Sequence, residues 1–174
     1  MTIFLTGDTN FNHNNIIEYN QRPFKHVSEM NEEITRRWNE VVGKADIVYH
    51  LGDFGMGRVE ELRTNLSRLN GRVSIIRGNH DESLSKLLEM GFCSISDELT
   101  LSYRGFIIIM SHYQDLINHG IEGIIHIHGH THSMQQFWQN FINVSCEAWD
   151  YYPVELGELI LKYKKQKREG SNGL

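Results

Sequence analysis

The chain has 174 residues, a length that favours a single domain. With 40% hydrophobic and 22% charged residues and a net charge of −5, it reads as globular and lacks the broad basic field that nucleic-acid binders usually carry. Cys93 and Cys146 fit a reducing compartment rather than a disulfide framework, Met1–Thr6 is too short for a signal peptide, and no long apolar run follows, so the expectation is a cytoplasmic protein without a membrane segment.

Ile3–Thr6 predicts a short buried strand ended by Gly7-Asp8, and Asn14–Tyr19 one or two helical turns before a loop through Arg22-Pro23-Phe24. Ser28 reads as the cap of a helix reaching Val42, with Met30, Ile34, Trp38 and Val41 at helical spacing and Gly43 as the stop. Asp46–Leu51 predicts a strand, Val59–Leu69 a helix, Arg72–Ile76 a strand and Ser83–Met90 a helix closed by Gly91. The second half is richer in strands. Leu99, Leu101, Tyr103, then Phe106, Ile108, Met110, straddle Arg104-Gly105 as a hairpin. Ile124–His128 and Phe141–Val144 read as further strands and Val154–Lys165 as a closing helix, whose basic run Lys162–Arg168 reads as a solvated helix end. No repeat, linker or low-complexity stretch interrupts this order. The pattern suggests an α/β fold of two stacked sheets covered by helices, with loops gathered at one edge.

Six clusters rich in Asp, Asn and His fall where apolar runs stop. They are Asp8-Thr9-Asn10, Asn12-His13, Gly52-Asp53, Gly78-Asn79-His80-Asp81, Ser111-His112 and Gly129-His130-Thr131-His132. Carboxylate, amide oxygen and imidazole are ligands of hard and borderline divalent cations. Residues two apart on an extended chain face one side, so Asp8 pairs with Asn10 and His130 with His132. Gly52 leaves room for metal and substrate beside Asp53, and Asp81 is a candidate to fix the His80 tautomer. Convergence of these strand ends makes a two-metal site. Two ions roughly 3.5–4 Å apart acidify a bridging water and clamp a phosphoryl group, so no Ser or Cys nucleophile is needed.

The ordered set resembles the calcineurin-like metallophosphoesterases, whose pattern runs Asp-x-His, Gly-Asp, Gly-Asn-His-Asp/Glu, a lone His, then Gly-His-x-His. The likeness spans residues 8 to 132 and extends to Arg22-Pro23-Phe24, Tyr49–Phe54, Ser111-His112-Tyr113 and the stretch from Asn143 to Val154, as in a small bacterial and phage branch. The resemblance implies one domain over residues 1–174, built as a four-layer α/β/β/α sandwich. It implies two divalent ions, Mn²⁺ first, with Fe, Zn, Ni or Mg as the other candidates. Asp8, Asp53 and His132 would hold the first, and Asp53, Asn79, His112 and His130 the second. His80 would contact the phosphate and assist the leaving oxygen. The chain departs from the pattern at Asn10, where the family has His. An amide oxygen is a harder, weaker ligand, which shifts the first site toward Mn²⁺ or Mg²⁺ at lower affinity. His13 is a second candidate for a phosphate contact.

Other residues carry competing readings. Arg22 and Arg77 suit bidentate phosphate binding or structural ion pairs. His50 reads as a core histidine or one behind the ligands, and His126 and His128 as surface residues or residues behind the ligands. His26 and His119 read as loop surface, Cys146 as a small buried residue, and Tyr113 and Trp149 as a wall for the leaving group or as packing. The expected activity is hydrolysis of a small phosphate ester by in-line attack of a bridging hydroxide, phosphodiesters favoured over monoesters. A scaffold that keeps the fold without catalysis is the alternative of another class. The charge balance gives nucleic acid no support as substrate.

Overall fold

The computed structural model describes residues 1–114, 120–132 and 134–171. The first sheet forms from β1 (Ile3–Thr6), β2 (Ile47–His50), β3 (Arg72–Ile76), β4 (Ile95–Ser96) and β10 (Val154–Glu155), in the order β10-β1-β2-β3-β4. All neighbours are parallel except β10, which runs antiparallel to β1. Parallel strands need long crossovers. Helices α2 (Val27–Val41), α3 (Val59–Ser67) and α4 (Leu84–Met90) supply them, while α1 (Asn15–Tyr19) precedes α2. The second sheet has the order β5-β6-β7-β9-β8, from β5 (Glu98–Tyr103), β6 (Phe106–Ser111), β7 (Ile124–His128), β8 (Phe137–Trp138) and β9 (Phe141–Asn143). Helix α5 (Leu156–Ser171) closes the chain. The result is two mixed sheets flanked by helices, as the sequence leads one to expect.

Two cores follow from strand alternation. Phe4, Val48, Val73 and Ile75 meet Met30, Ile34, Trp38, Leu62 and Leu87 of the helices on one face of the first sheet. On its other face, Leu5 and Ile76 join Ile108, Met110, Ile125, Ile127 and Ile142 of the second sheet, with Leu156, Leu159, Ile160 and Tyr163 of α5. The α5 residues recur at i, i+3, i+4 and i+7, one helical face.

Most predicted elements appear within a residue or two of their expected ends. The hairpin holds its register, pairing Tyr103 with Phe106 and Leu99 with Met110 across Arg104 and Gly105, both left-handed. Three details differ. His26, not Ser28, caps α2, and Val41 is exposed while Val42 is buried. Val154 and Glu155 extend the first sheet before α5 begins, because their N–H and C=O groups complete its edge beside β1. The short strands β4 and β8 and the 3-10 turn Cys146–Trp149 had no sequence signal.

Candidate metal centre

The predicted ligands gather at the carboxyl ends of parallel strands, where open α/β sheets bind ligands. Asp8 follows β1, Asp53 β2, Asn79 β3, His112 β6, and His130 and His132 follow β7. Asp8, Asn10, Asp53, His130 and His132 all hold φ between 46 and 66°. Left-handed backbone is uncommon outside glycine, and its clustering marks functional sites. Left-handed turns thus replace the extended i, i+2 alternation expected from sequence, and His130 and His132 enter different donor groups. Backbone bonds fix this loop: Asp8 N donates to Gly52 O (2.9 Å), Asn10 N to Asp53 O (3.0 Å) and Phe11 N to Phe54 O (2.8 Å). The Asn12 side-chain oxygen accepts from Asn31 and Asn65, tying the same loop to α2 and α3.

Two triads stand close enough to hold a cation each, and they share Asp53. Ligand atoms of Asp53, His112 and His130 lie within 4.8 Å of one another, as do those of Asp8, Asp53 and His132. In the first-named triad, His112 Nδ1–H donates to Leu51 O (2.7 Å), which leaves Nε2 bare. That nitrogen faces Asn79 Oδ1 at 3.1 Å, His130 Nδ1 at 3.2 Å and Asp53 Oδ2 at 3.6 Å. The other Asp53 oxygen accepts His80 N–H (2.9 Å). Electron-pair donors crowded this way fit a divalent cation. The glycines permit the approach. A Cβ on Gly52 would lie 2.5 Å from both Gly78 N and His112 Nδ1, and one on Gly78 would collide with the Asp53 carboxylate. Gly52 thus makes room for the protein's own loops.

In the other triad, Asp8 is fully buried, and its Oδ2 accepts His130 N–H at 2.9 Å. Its Oδ1 has no hydrogen-bond partner, the nearby Ser145 hydroxyl falling short of bonding geometry, and lies 3.7 Å from His132 Nε2. Burial raises the Asp8 carboxyl to about 6 despite the pull of His132 and His112. An orphaned carboxylate oxygen opposite an imidazole nitrogen fits a cation. His132 Nδ1 donates to Glu147 Oε1 (3.0 Å), which also accepts from Arg22 Nε (3.0 Å), Arg22 Nη2 (2.6 Å) and Asn20 Nδ2 (3.2 Å). Burial works to raise the Glu147 carboxyl, but the His132 bond and the Arg22 charge hold it at about 2. Sequence reasoning missed Glu147. Its only signal was the ion-pair reading of Arg22, which calls for an anion without saying where in the chain it lies.

A family profile for the calcineurin-like phosphoesterase superfamily domain matches residues 2–160. The chain belongs to this superfamily. It is 36% identical over 174 residues to an uncharacterized protein of Methanocaldococcus jannaschii, covering 95% of this chain and 93% of that protein. The Gene 66 protein of Mycobacterium phage D29 is 30% identical over 152 residues, 68% of this chain and 76% of its own length. Among solved structures, a protein of unknown function from Aquifex aeolicus superposes with a TM-score of 0.74 at 27% identity, over 91% of this chain and 97% of that one. An archaeal phosphodiesterase shares the fold at a TM-score of 0.50 and 18% identity, over 86% of this chain and 87% of its own.

The remaining expectations divide within this phosphoesterase frame. His80 is exposed beside the Asp53–His112–His130 triad, and His13 turns inward. His13 N donates to Asn10 O, and Nδ1 is buried without a partner. Burial lowers the His13 pKa, and the nearby His80 and Arg22 lower it further. Asn10 Nδ2 donates to Asp8 O (3.1 Å), leaving only its oxygen for a cation. Asp81 does not orient His80. Its oxygens accept the N–H groups of Asp53 (2.8 Å), Phe54 (2.8 Å) and Gly78 (2.7 Å), stapling two ligand loops. Arg22 does not reach out toward a phosphate, because its guanidinium is wholly buried against Glu147, Asp8 O and Thr9 O. Arg77 pairs with Asp97 at 2.6 Å at the surface. His50 is buried, donating through Nε2 to Thr9 Oγ1 (2.9 Å), whose hydroxyl serves Phe54 O. His126 and His128 are buried, not surface residues; His126 meets Ser111 Oγ (2.7 Å) and His128 meets Gly129 O (2.8 Å). Tyr113 is half exposed beside His112 and His130, whereas Trp149 packs on Phe137 and donates to Asn143 O. Cys146 is buried as expected, and His119 lies outside the described residues.

Proposed function

We propose that the chain is a two-metal phosphoesterase that hydrolyses small phosphate esters, with phosphodiesters as its preferred class. One observation carries the reading: two donor triads meet at the single carboxylate of Asp53. Asp8, Asp53, His132 and the amide oxygen of Asn10 would hold the first ion, and Asp53, Asn79, His112 and His130 the second. Mn²⁺ suits this oxygen-and-imidazole set. When bound, the pair supplies the Lewis acidity that activates water for in-line attack on phosphorus.

The chain's own groups do the rest. Asp8 and Asp53 bring negative charge into a buried setting, so the site favours cations over water. Exposed His80 stands where it can donate a proton to the departing oxygen, and the inward ring of His13 faces the same space as a phosphate contact. Asn79, His80, His130 and Thr131 are all exposed, which leaves the mouth open to a substrate substituted on both sides of phosphorus. Metal-stripped protein should hydrolyse bis(p-nitrophenyl) phosphate only after Mn²⁺ is added, faster than p-nitrophenyl phosphate, and His80→Ala should abolish most turnover. A strong monoester preference would overturn the diester choice. Absence of turnover on either ester at every Mn²⁺ concentration would point to the scaffold alternative.

A further inference from the structure

We propose that Glu147 is a positioning residue for the first cation site, acting on two of that site's own ligands, Asp8 and His132, through one buried ion pair; this rests on the two-metal reading above. Glu147 Oε1 takes the His132 Nδ1–H at 3.0 Å, so Nε2 carries the free electron pair and faces Asp8 Oδ1 at 3.7 Å. The same oxygen takes two bonds from Arg22, whose Nη2 continues to Asp8 O (2.7 Å) and whose Nη1 continues to Thr9 O (2.9 Å). One carboxylate thereby fixes His132 by its ring and Asp8 by its backbone, from segments 125 and 139 residues away from Arg22 and Asp8 respectively.

The residue at position 10 makes such a device matter. At position 10 the imidazole of the family pattern is replaced by an amide whose N–H is spent on Asp8 O. The first site therefore leans on the aim of Asp8 and His132, while in the second His112 already touches both Asn79 and His130. Among the described residues, no hydrogen bond or ion pair joins Asn79, His112 or His130 to Glu147 or Arg22. Outer partners of metal-bound histidines typically contribute about 10–100-fold in metal affinity, and here the effect should fall on one site alone.

The test is Mn²⁺ titration of metal-stripped wild type and Glu147→Gln, followed by the EPR signal of free Mn²⁺, together with ¹⁵N NMR of the histidine rings in metal-free wild type. Wild type should take up two ions per chain. Glu147→Gln should weaken one binding step by about 10–100-fold and leave the other within about twofold. In wild type, His132 should be the Nδ1–H tautomer. The NMR arm stands even if the variant fails to fold. Equal weakening of both steps, no weakening of either, or an Nε2–H tautomer at His132 would overturn the role of Glu147. Uptake of fewer than two ions by wild type would instead overturn the two-metal reading, and the proposal with it.

Discussion

Asp81→Ala separates a residue that builds the centre from one that acts on substrate. The carboxylate accepts three backbone N–H groups, from Asp53, Phe54 and Gly78, at 2.7–2.8 Å. Alanine strands all three. At about 1–3 kcal/mol per stranded donor, and toward the low end because Asp81 is half-buried, the loss comes to roughly 3–5 kcal/mol. In a chain of this length that corresponds to a fall in Tm of about 10 °C or more. Asp53 loses the staple that aims it, and Asp53 belongs to both triads. Both Mn²⁺ binding steps should therefore weaken together, unlike the one-sided effect expected at Glu147. Thermal melts of the metal-free proteins and Mn²⁺ titrations read these outcomes, with Asp81→Asn, which keeps one acceptor oxygen, falling between. A variant that melts within about 2 °C of wild type, binds both ions normally and still loses turnover would refute the structural role.

Gly78→Ala should abolish tight Mn²⁺ binding while far-UV circular dichroism stays native. Its Cβ would run into the Asp53 carboxylate and lie 2.6 Å from Asp53 N, and such overpacking costs about 1–3 kcal/mol; normal metal binding would contradict the crowding. Asn10→His restores an imidazole at a left-handed position that histidine tolerates, so first-site Mn²⁺ affinity should rise about tenfold or more by titration. Unchanged affinity would show that position 10 does not reach the ion. Burial holds His50 at about 3 against 6.5 for the free side chain, so the unfolded chain binds more protons between those values and stability falls as pH drops through them. At about 1.4 kcal/mol per pH unit, the unfolding free energy of His50→Gln from urea melts should decline less steeply, by about 2–3 kcal/mol between neutral pH and about pH 4.5. Parallel declines would contradict the assignment.

Much of the fold was legible because short apolar strands and amphipathic helices carry their own periods, as in β3 and α2. The two-residue strands β4 and β8 have no room for a period, and β10 could not be told from the first turn of α5 because pairing with β1 decides it. The candidate ligands were legible because Asp, Asn and His repeat at strand ends. Asp81, Arg22 and Glu147 were not, for a common reason. Each is polar and beside the site, and whether it serves substrate or backbone depends on direction, which sequence does not encode. The buried Arg22–Glu147 pair joins residues 125 positions apart. His126 and His128 likewise fell on a buried face that only the packing of the second sheet defines.

A two-metal centre here requires Asp53 to serve two ions at once. EPR of metal-stripped protein reloaded with Mn²⁺, with bound metal counted per chain, tests this most directly. Wild type should bind two Mn²⁺ per chain with the spectrum of a spin-coupled pair, reduced to uncoupled ions in Asp53→Ala. A single Mn²⁺ per chain, or two that give independent spectra in wild type, would contradict it.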